Sequence, residues 1–152
     1  MSKQNYMKIH KEKINLESKA QIEFIDITDR VQEIVDHSGI REGQVLVYVS
    51  HTTMSVSINH NEPMLLRDFM RVLYKIVPVD DQYSHDLFEL RRDSNSDGRS
   101  NGHSHCKAIL FGNSETVPVE KGKLFLSNRQ NIFAVEFDGS RKRDIFIQVI
   151  GL

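Results

Sequence analysis

Four of the seven histidines stand in short polar segments: His51 in Ser50-His51-Thr52-Thr53, His85 in Tyr83-Ser84-His85-Asp86, and His103 and His105 in Asn101-Gly102-His103-Ser104-His105-Cys106-Lys107-Ala108. Imidazole titrates near neutral pH and is the commonest protein ligand for metals. The grouping points to one shared site, in which His51, His85, His103 and His105 hold a divalent metal, zinc or magnesium. Three protein ligands and a water make the usual catalytic zinc, whose water becomes acidic enough to react at neutral pH. In an extended segment His103 and His105 would face one side. In a helix they would diverge by about 200°. Glu62 and Asp86 are the candidate general bases or ligand-orienting groups. The alternatives are a carboxylate at a helix N-terminus for Glu62 and an ordinary loop acid for Asp86.

A phosphate reading competes with the metal reading or joins it. Thr52, Thr53, Lys107, Asn113, Ser114 and Arg129 are polar groups near expected turns, and a helix starting near His105 would aim free N–H groups at an anion. Thr52, Thr53, Lys107 and Arg129 are therefore the candidate substrate-binding residues. There is no Walker loop and no dinucleotide fingerprint, and Gly112-Asn113-Ser114 reads first as a helix stop. His37 reads as a structural group near a helix C-terminus.

The chain has 152 residues, 39% hydrophobic and 27% charged, with a formal net charge of −1. This suits a single globular domain over residues 1–152. A pI near 6.7 argues against nucleic-acid binding through bulk electrostatics. The one dense basic run, Arg141-Lys142-Arg143, reads as a solvated turn. A single cysteine, Cys106, excludes an intrachain disulfide and fits a reducing cytoplasm. It is expected as a small buried residue sharing an apolar helix face with Ile109 and Leu110. Neither a signal-peptide core nor a membrane-length apolar run is evident.

The elements that must position these side chains follow from hydrophobic periodicity. Residues 8–16 and 20–27 read as strands. Val31, Ile34 and Val35 mark a short helix capped by Thr28 or Asp29 and stopped by Gly39. Residues 44–50 form a β-branched run expected to be a central strand covered on both faces, with Val56-Ser57-Ile58 resuming it. Pro63 opens a helix with a stripe of Leu65, Leu66, Phe69, Val72, Leu73 and Ile76, ended by Pro78. Residues 79–102 read as a long loop carrying Tyr83, His85 and Asp86. The last third reads as strands at 115–119, 124–126, 132–137 and 144–150, with turns at Lys121-Gly122 and Asp138-Gly139, the latter a hairpin. The fold class is α+β: mainly antiparallel, β-sandwich-like sheets with two to three helices.

His51-Thr52-Thr53, Asn61-Glu62, Tyr83-Ser84-His85-Asp86, the Asn101 to Ala108 segment, Gly122-Lys123-Leu124, Gln130 and Glu136-Phe137-Asp138-Gly139 occur in an order that resembles the YjbQ family, also called the secondary thiamine-phosphate synthase enzyme family. The resemblance runs from about Lys8 to Gly151. It implies a sandwich-like homotrimer with the histidine cluster near a subunit boundary. It also implies a weak thiamine-phosphate synthase activity, which joins a pyrimidine methyl diphosphate to a thiazole phosphate and releases pyrophosphate, beside an unknown primary role. The chain departs from the family in two places. Ser127-Asn128-Arg129-Gln130 replaces a Trp-bearing segment, and His103 stands where shorter members carry Asp, which would favour a softer ion.

Two functions follow as expectations. The first is an enzyme acting on a phosphorylated small molecule at a metal/histidine site, either a thiamine-phosphate-synthase-like transferase or a hydrolase using metal-bound water. The second is a trimeric metal- or anion-binding protein without catalysis. Neither nucleic acid nor membrane is an expected partner.

Overall fold

Eight strands and four helices form among residues 6–89 and 99–152, the part of the chain that the computed structural model describes. In order these are β1 (Lys8–Glu17), β2 (Glu23–Asp26), α1 (Thr28–Ser38), β3 (Gly43–Tyr48), β4 (Met54–Asn59), α2 (Pro63–Ile76), α3 (Ser84–Glu89), α4 (Gly102–Phe111), β5 (Ser114–Glu120), β6 (Lys123–Leu124), β7 (Asn131–Glu136) and β8 (Lys142–Gly151). The strands make two antiparallel sheets, β1-β8-β3-β5-β6 and β2-β7-β4. The architecture is α+β, as the sequence indicates, with four helices rather than two or three.

Strand periodicity explains how the layers form. Residues from Ile132 to Asp138 are all buried. Ile132 and Ala134 face the larger sheet, packing with Val45, Val47, Ile145 and Ile147 and with Val31 and Val35 of α1. Phe133, Val135 and Phe137 face the other way, against Leu73 of α2 and Ala108 of α4. Thus β7 is the strand covered on both faces. By contrast, β3 is central in its sheet but buries only Val45 and Val47, while Leu46 and Tyr48 are half-exposed.

Local chemistry sets the element ends. Gly39 adopts a left-handed φ of 66° after α1, a conformation open to glycine at little cost. The start of α1 differs from expectation. Its N-cap is Ile27, without a side-chain cap, and Asp26 Oδ1 accepts from Thr28 N at 2.9 Å instead. Lys121 and Gly122 take positive φ and close the β5–β6 hairpin.

Three further expectations are corrected. Asp138-Gly139 does not close a hairpin, because β7 and β8 lie in different sheets. The stretch after Pro78 contains α3, which carries His85 and Asp86. Residues 90–98 of that expected loop lie outside the described residues. Cys106, Ile109 and Leu110 are exposed, because α4 turns His103, Ser104, Lys107 and Ala108 inward instead. Among the described residues, no helix is long and apolar enough to cross a membrane.

Candidate functional site

The chain leaves β3 through Val49 and Ser50 and enters β4 at Met54. This crossover between the sheets carries His51, Thr52 and Thr53 into a pocket of about 420 Å3. His105 of α4 and His85 of α3 line the same pocket, their rings 4.7 Å apart and nearly perpendicular. Asn101, Asp138, Arg141 and Arg143 complete the polar wall. The site sits at the end where β7 leaves its sheet and β8 begins.

Helical geometry divides the two histidines of the His-x-His segment. His103 and Lys107 fall on the buried stripe of α4, one turn apart, while His105 is only part-buried and faces the pocket. Lys107 Nζ lies 3.1 Å from His103 Nδ1 and 5.9 Å from the centroid of the Tyr74 ring. Burial, followed by the neighbouring Lys107 charge, lowers the pKa of His103. Burial likewise lowers that of Lys107. Neither residue lines the pocket, so the fold separates both from the site to which their spacing assigned them.

Asp86 and Gly102 explain how the helices meet. Asp86 Oδ1 accepts from Gly102 N at 2.8 Å, capping α4 from a neighbouring element. A Cβ at Gly102 would lie 2.4 Å from Tyr83 Cβ, so only glycine allows this approach. Ser55 Oγ donates to Ala108 O and Ser104 Oγ to Phe137 O, at 3.0 and 2.6 Å, pinning α4 to the small sheet. Asp86 thereby orients the elements that carry His85 and His105.

Glu62 and Arg129 lie at the far end of the small sheet. Both Glu62 carboxylate oxygens accept backbone N–H groups of α2, from Met64 at 2.8 Å and Leu65 at 2.7 Å. These bonds, Met64 first, hold its pKa below the ordinary value. Asn61, beside it, contacts Asn131 at the start of β7, whereas the pocket lies beyond the end of β7. Arg129 is exposed in the turn before Asn131. Glu62 thus has the helix-cap role that the sequence left open.

The basic run is not a solvated turn. Strand alternation exposes Lys142 and buries Arg143, whose Nε and Nη2 donate to Glu136 Oε2 and Oε1 at 2.7 and 2.6 Å. Arg143 Nη2 also donates to Thr53 Oγ1 at 2.9 Å. Glu136 Oε1 accepts from Phe137 N and Asp138 N. The pair joins β7 to β8 across the two sheets and fixes Thr53. Arg141 Nη2 donates to Asp138 Oδ2 at 2.6 Å, and Asn101 Nδ2 donates to the same oxygen at 3.0 Å. That bond sets the Asn101 amide orientation. Its Oδ1 is the buried side-chain atom without a hydrogen-bond partner among the described residues.

Behind His51 stands Asp144, with Oδ1 3.0 Å from His51 Nε2 and Oδ2 accepting from Lys13 Nζ at 2.7 Å. Such a carboxylate fixes the tautomer and orientation of an imidazole. Sequence spacing had missed Ser50, Asn101, Asp138, Arg141, Arg143, Glu136 and Asp144. A strand-alternation reading of Arg141 and Arg143 would have recovered two of them.

The sequence model for the family described as "UPF0047 protein YjbQ-like" matches residues 12–152. A UPF0047 protein of Methanothermobacter thermautotrophicus is 38% identical over 146 residues, 96% of this chain and 95% of that one. One from Archaeoglobus fulgidus is 42% identical over 137 residues, 90% and 98% of the two chains. Among solved structures, a YbjQ-like protein of unknown function from Sulfolobus solfataricus superposes with a TM-score of 0.87 at 33% identity, covering 97% of this chain and 100% of that one. An uncharacterised YjbQ/UPF0047 protein of Clostridium acetobutylicum superposes with a TM-score of 0.80 at 34% identity, covering 91% and 98%.

Proposed function

Since the chain belongs to the YjbQ-like UPF0047 family, we propose that its histidine pocket is an active site for phosphorylated small molecules, with a weak thiamine-phosphate-synthase-like transfer as its reaction. The observation that carries this reading is the convergence of His51, His85 and His105 with Arg141 and Arg143 on one pocket. In the transfer, the C–O bond to the pyrimidine methyl carbon breaks and its electron pair leaves with the diphosphate. The thiazole nitrogen lone pair forms the new C–N bond. No net proton transfer is needed, so the protein's task is to stabilise the charge gathering on the leaving group. Thr52 and the two arginines offer donors, as does any imidazole that carries a second proton. Asp144 Oδ1 can only accept, so it takes the Nε2–H of His51 and leaves Nδ1 as the acceptor of the ring.

A divalent ion would draw on His51, His85 and His105, zinc favouring imidazole and magnesium the substrate's phosphate oxygens. Among the described residues, however, no three His, Cys, Asp or Glu side chains stand together as ligands. The homotrimer belongs to the same proposal. Leu46 and Phe146 lie on the outward face of the large sheet, next to Asp144, and are only half-buried. A closed assembly would cover these two and set the pocket near a subunit boundary, leaving Tyr48 at the end of β3 on the pocket side.

The test is pyrophosphate release from the pyrimidine methyl diphosphate with thiazole phosphate, for wild type and His105→Ala, alongside native mass and metal content by elemental mass spectrometry. Turnover lost in an intact assembly supports the enzyme. Turnover unaffected by His105→Ala, or an assembly that falls apart with it, favours a binding or structural role for the histidines.

A further inference from the structure

The polar pocket shares a wall with a second compartment of different chemistry. Ser50, His51, Thr52 and His105 line both. Beyond them, the second compartment, about 550 Å3, is walled by Tyr48, Val49, Met54, Ala108 and Ile109. Val49, Met54 and Ala108 are buried parts of the two cores, so this wall is preformed. Ile109 is 83% exposed at its lip, an apolar side chain left in water with a cavity beneath it. Each compartment falls within the roughly 300–1,000 Å3 of small-molecule sites.

We propose that the ligand spans both compartments: an anionic phosphoryl group among the arginines and threonines, and an apolar ring-sized group against Tyr48, Met54 and Ile109. His51 and His105 then flank the bond joining the two parts, and the apolar compartment selects among phosphate esters. This inference rests on the reading of the polar pocket as a phosphoryl site. Burying a phenyl-sized surface favours binding by about one to two powers of ten, and a thioether beside an aromatic ring adds to it.

The experiment is calorimetric titration of the full chain with inorganic phosphate and with phenyl phosphate, for wild type, Ile109→Asn and, separately, Tyr48→Ser. Ile109 is exposed, so its replacement leaves the core intact, and thermal melts check both variants. The expected result is phenyl phosphate at least about tenfold tighter than phosphate in wild type. That advantage should fall to within about threefold in either variant, with phosphate affinity little changed. Phenyl phosphate no tighter than phosphate, or an advantage that survives both substitutions, overturns the two-compartment ligand and leaves the phosphoryl site standing. Absence of binding by both ligands in wild type sinks both readings.

Discussion

Asp144 Oδ1 stands 3.0 Å from His51 Nε2, although 93 positions separate the two residues. The hydrogen bond from Lys13, ahead of that from His51, holds the Asp144 carboxyl below its ordinary pKa. A carboxylate lowered in this way contributes stability above its unfolded value, near 3.9, and loses that contribution as pH falls through the lower folded value. Asp144 therefore stays anionic across the neutral range. Asp144→Asn should lower turnover about 10- to 100-fold with an unchanged fold. Steady-state kinetics and circular dichroism check this, and wild-type turnover would rule out an orienting role.

Glu136 and Arg143 form a bidentate pair that is almost fully buried, with side chains 0% and 6% exposed. Removing one partner leaves an uncompensated charge. Glu136→Ala should cost about 3–5 kcal/mol, whereas the double replacement Glu136→Leu with Arg143→Met should cost far less. Urea unfolding of wild type and the two variants measures this. A double variant as unstable as Glu136→Ala would contradict the argument.

His103 and His105 should respond to alanine in opposite ways. His103→Ala opens a cavity and strips Lys107 of its neighbour, for a loss of about 2–4 kcal/mol. His105→Ala, at a part-buried pocket wall, should leave the melting temperature near wild type and remove turnover. Paired melting and activity measurements decide. Equal behaviour of the two would mean that α4 does not divide them functionally.

Lys107 is fully buried, and burial lowers the pKa of its amine. For a base lowered on folding, the unfolded chain binds more protons between the folded and unfolded pKa values. Stability therefore falls as pH drops through that window and is restored only above the ordinary lysine value near 10.4. Lys107→Met should remove this cost and raise the melting temperature at neutral pH, by about 2–4 °C per kcal/mol. Melts from pH 6 to 10 test it. A neutral-pH melting temperature below wild type would show that the contact with His103 outweighs desolvation.

The sequence by itself determined most of the elements and the three histidines of the pocket, His51, His85 and His105. Period-two alternation marked residues 20–27, where β2 forms, and the stripe from Leu65 to Ile76 marked α2. The ordered motifs carried the family, because motif order survives whatever the chain does in space. Partner choice was a tertiary matter. A strand's alternation shows which side chains share a face, but not which sheet it joins, so Asp138-Gly139 read as a hairpin where the chain crosses between sheets. The same crossing turned Arg143 onto Glu136, making a buried pair of what spacing presented as a solvated basic run. Two residues apart, His103 and His105 looked like one ligand pair. Forming α4 put one in the core and the other in the pocket, because its 3.6-residue period came with a buried stripe through His103 and Lys107. His51 and His85 were brought to that pocket, and Asp144 behind His51, from three separate segments, and contacts between distant segments are set only when the sheets pack.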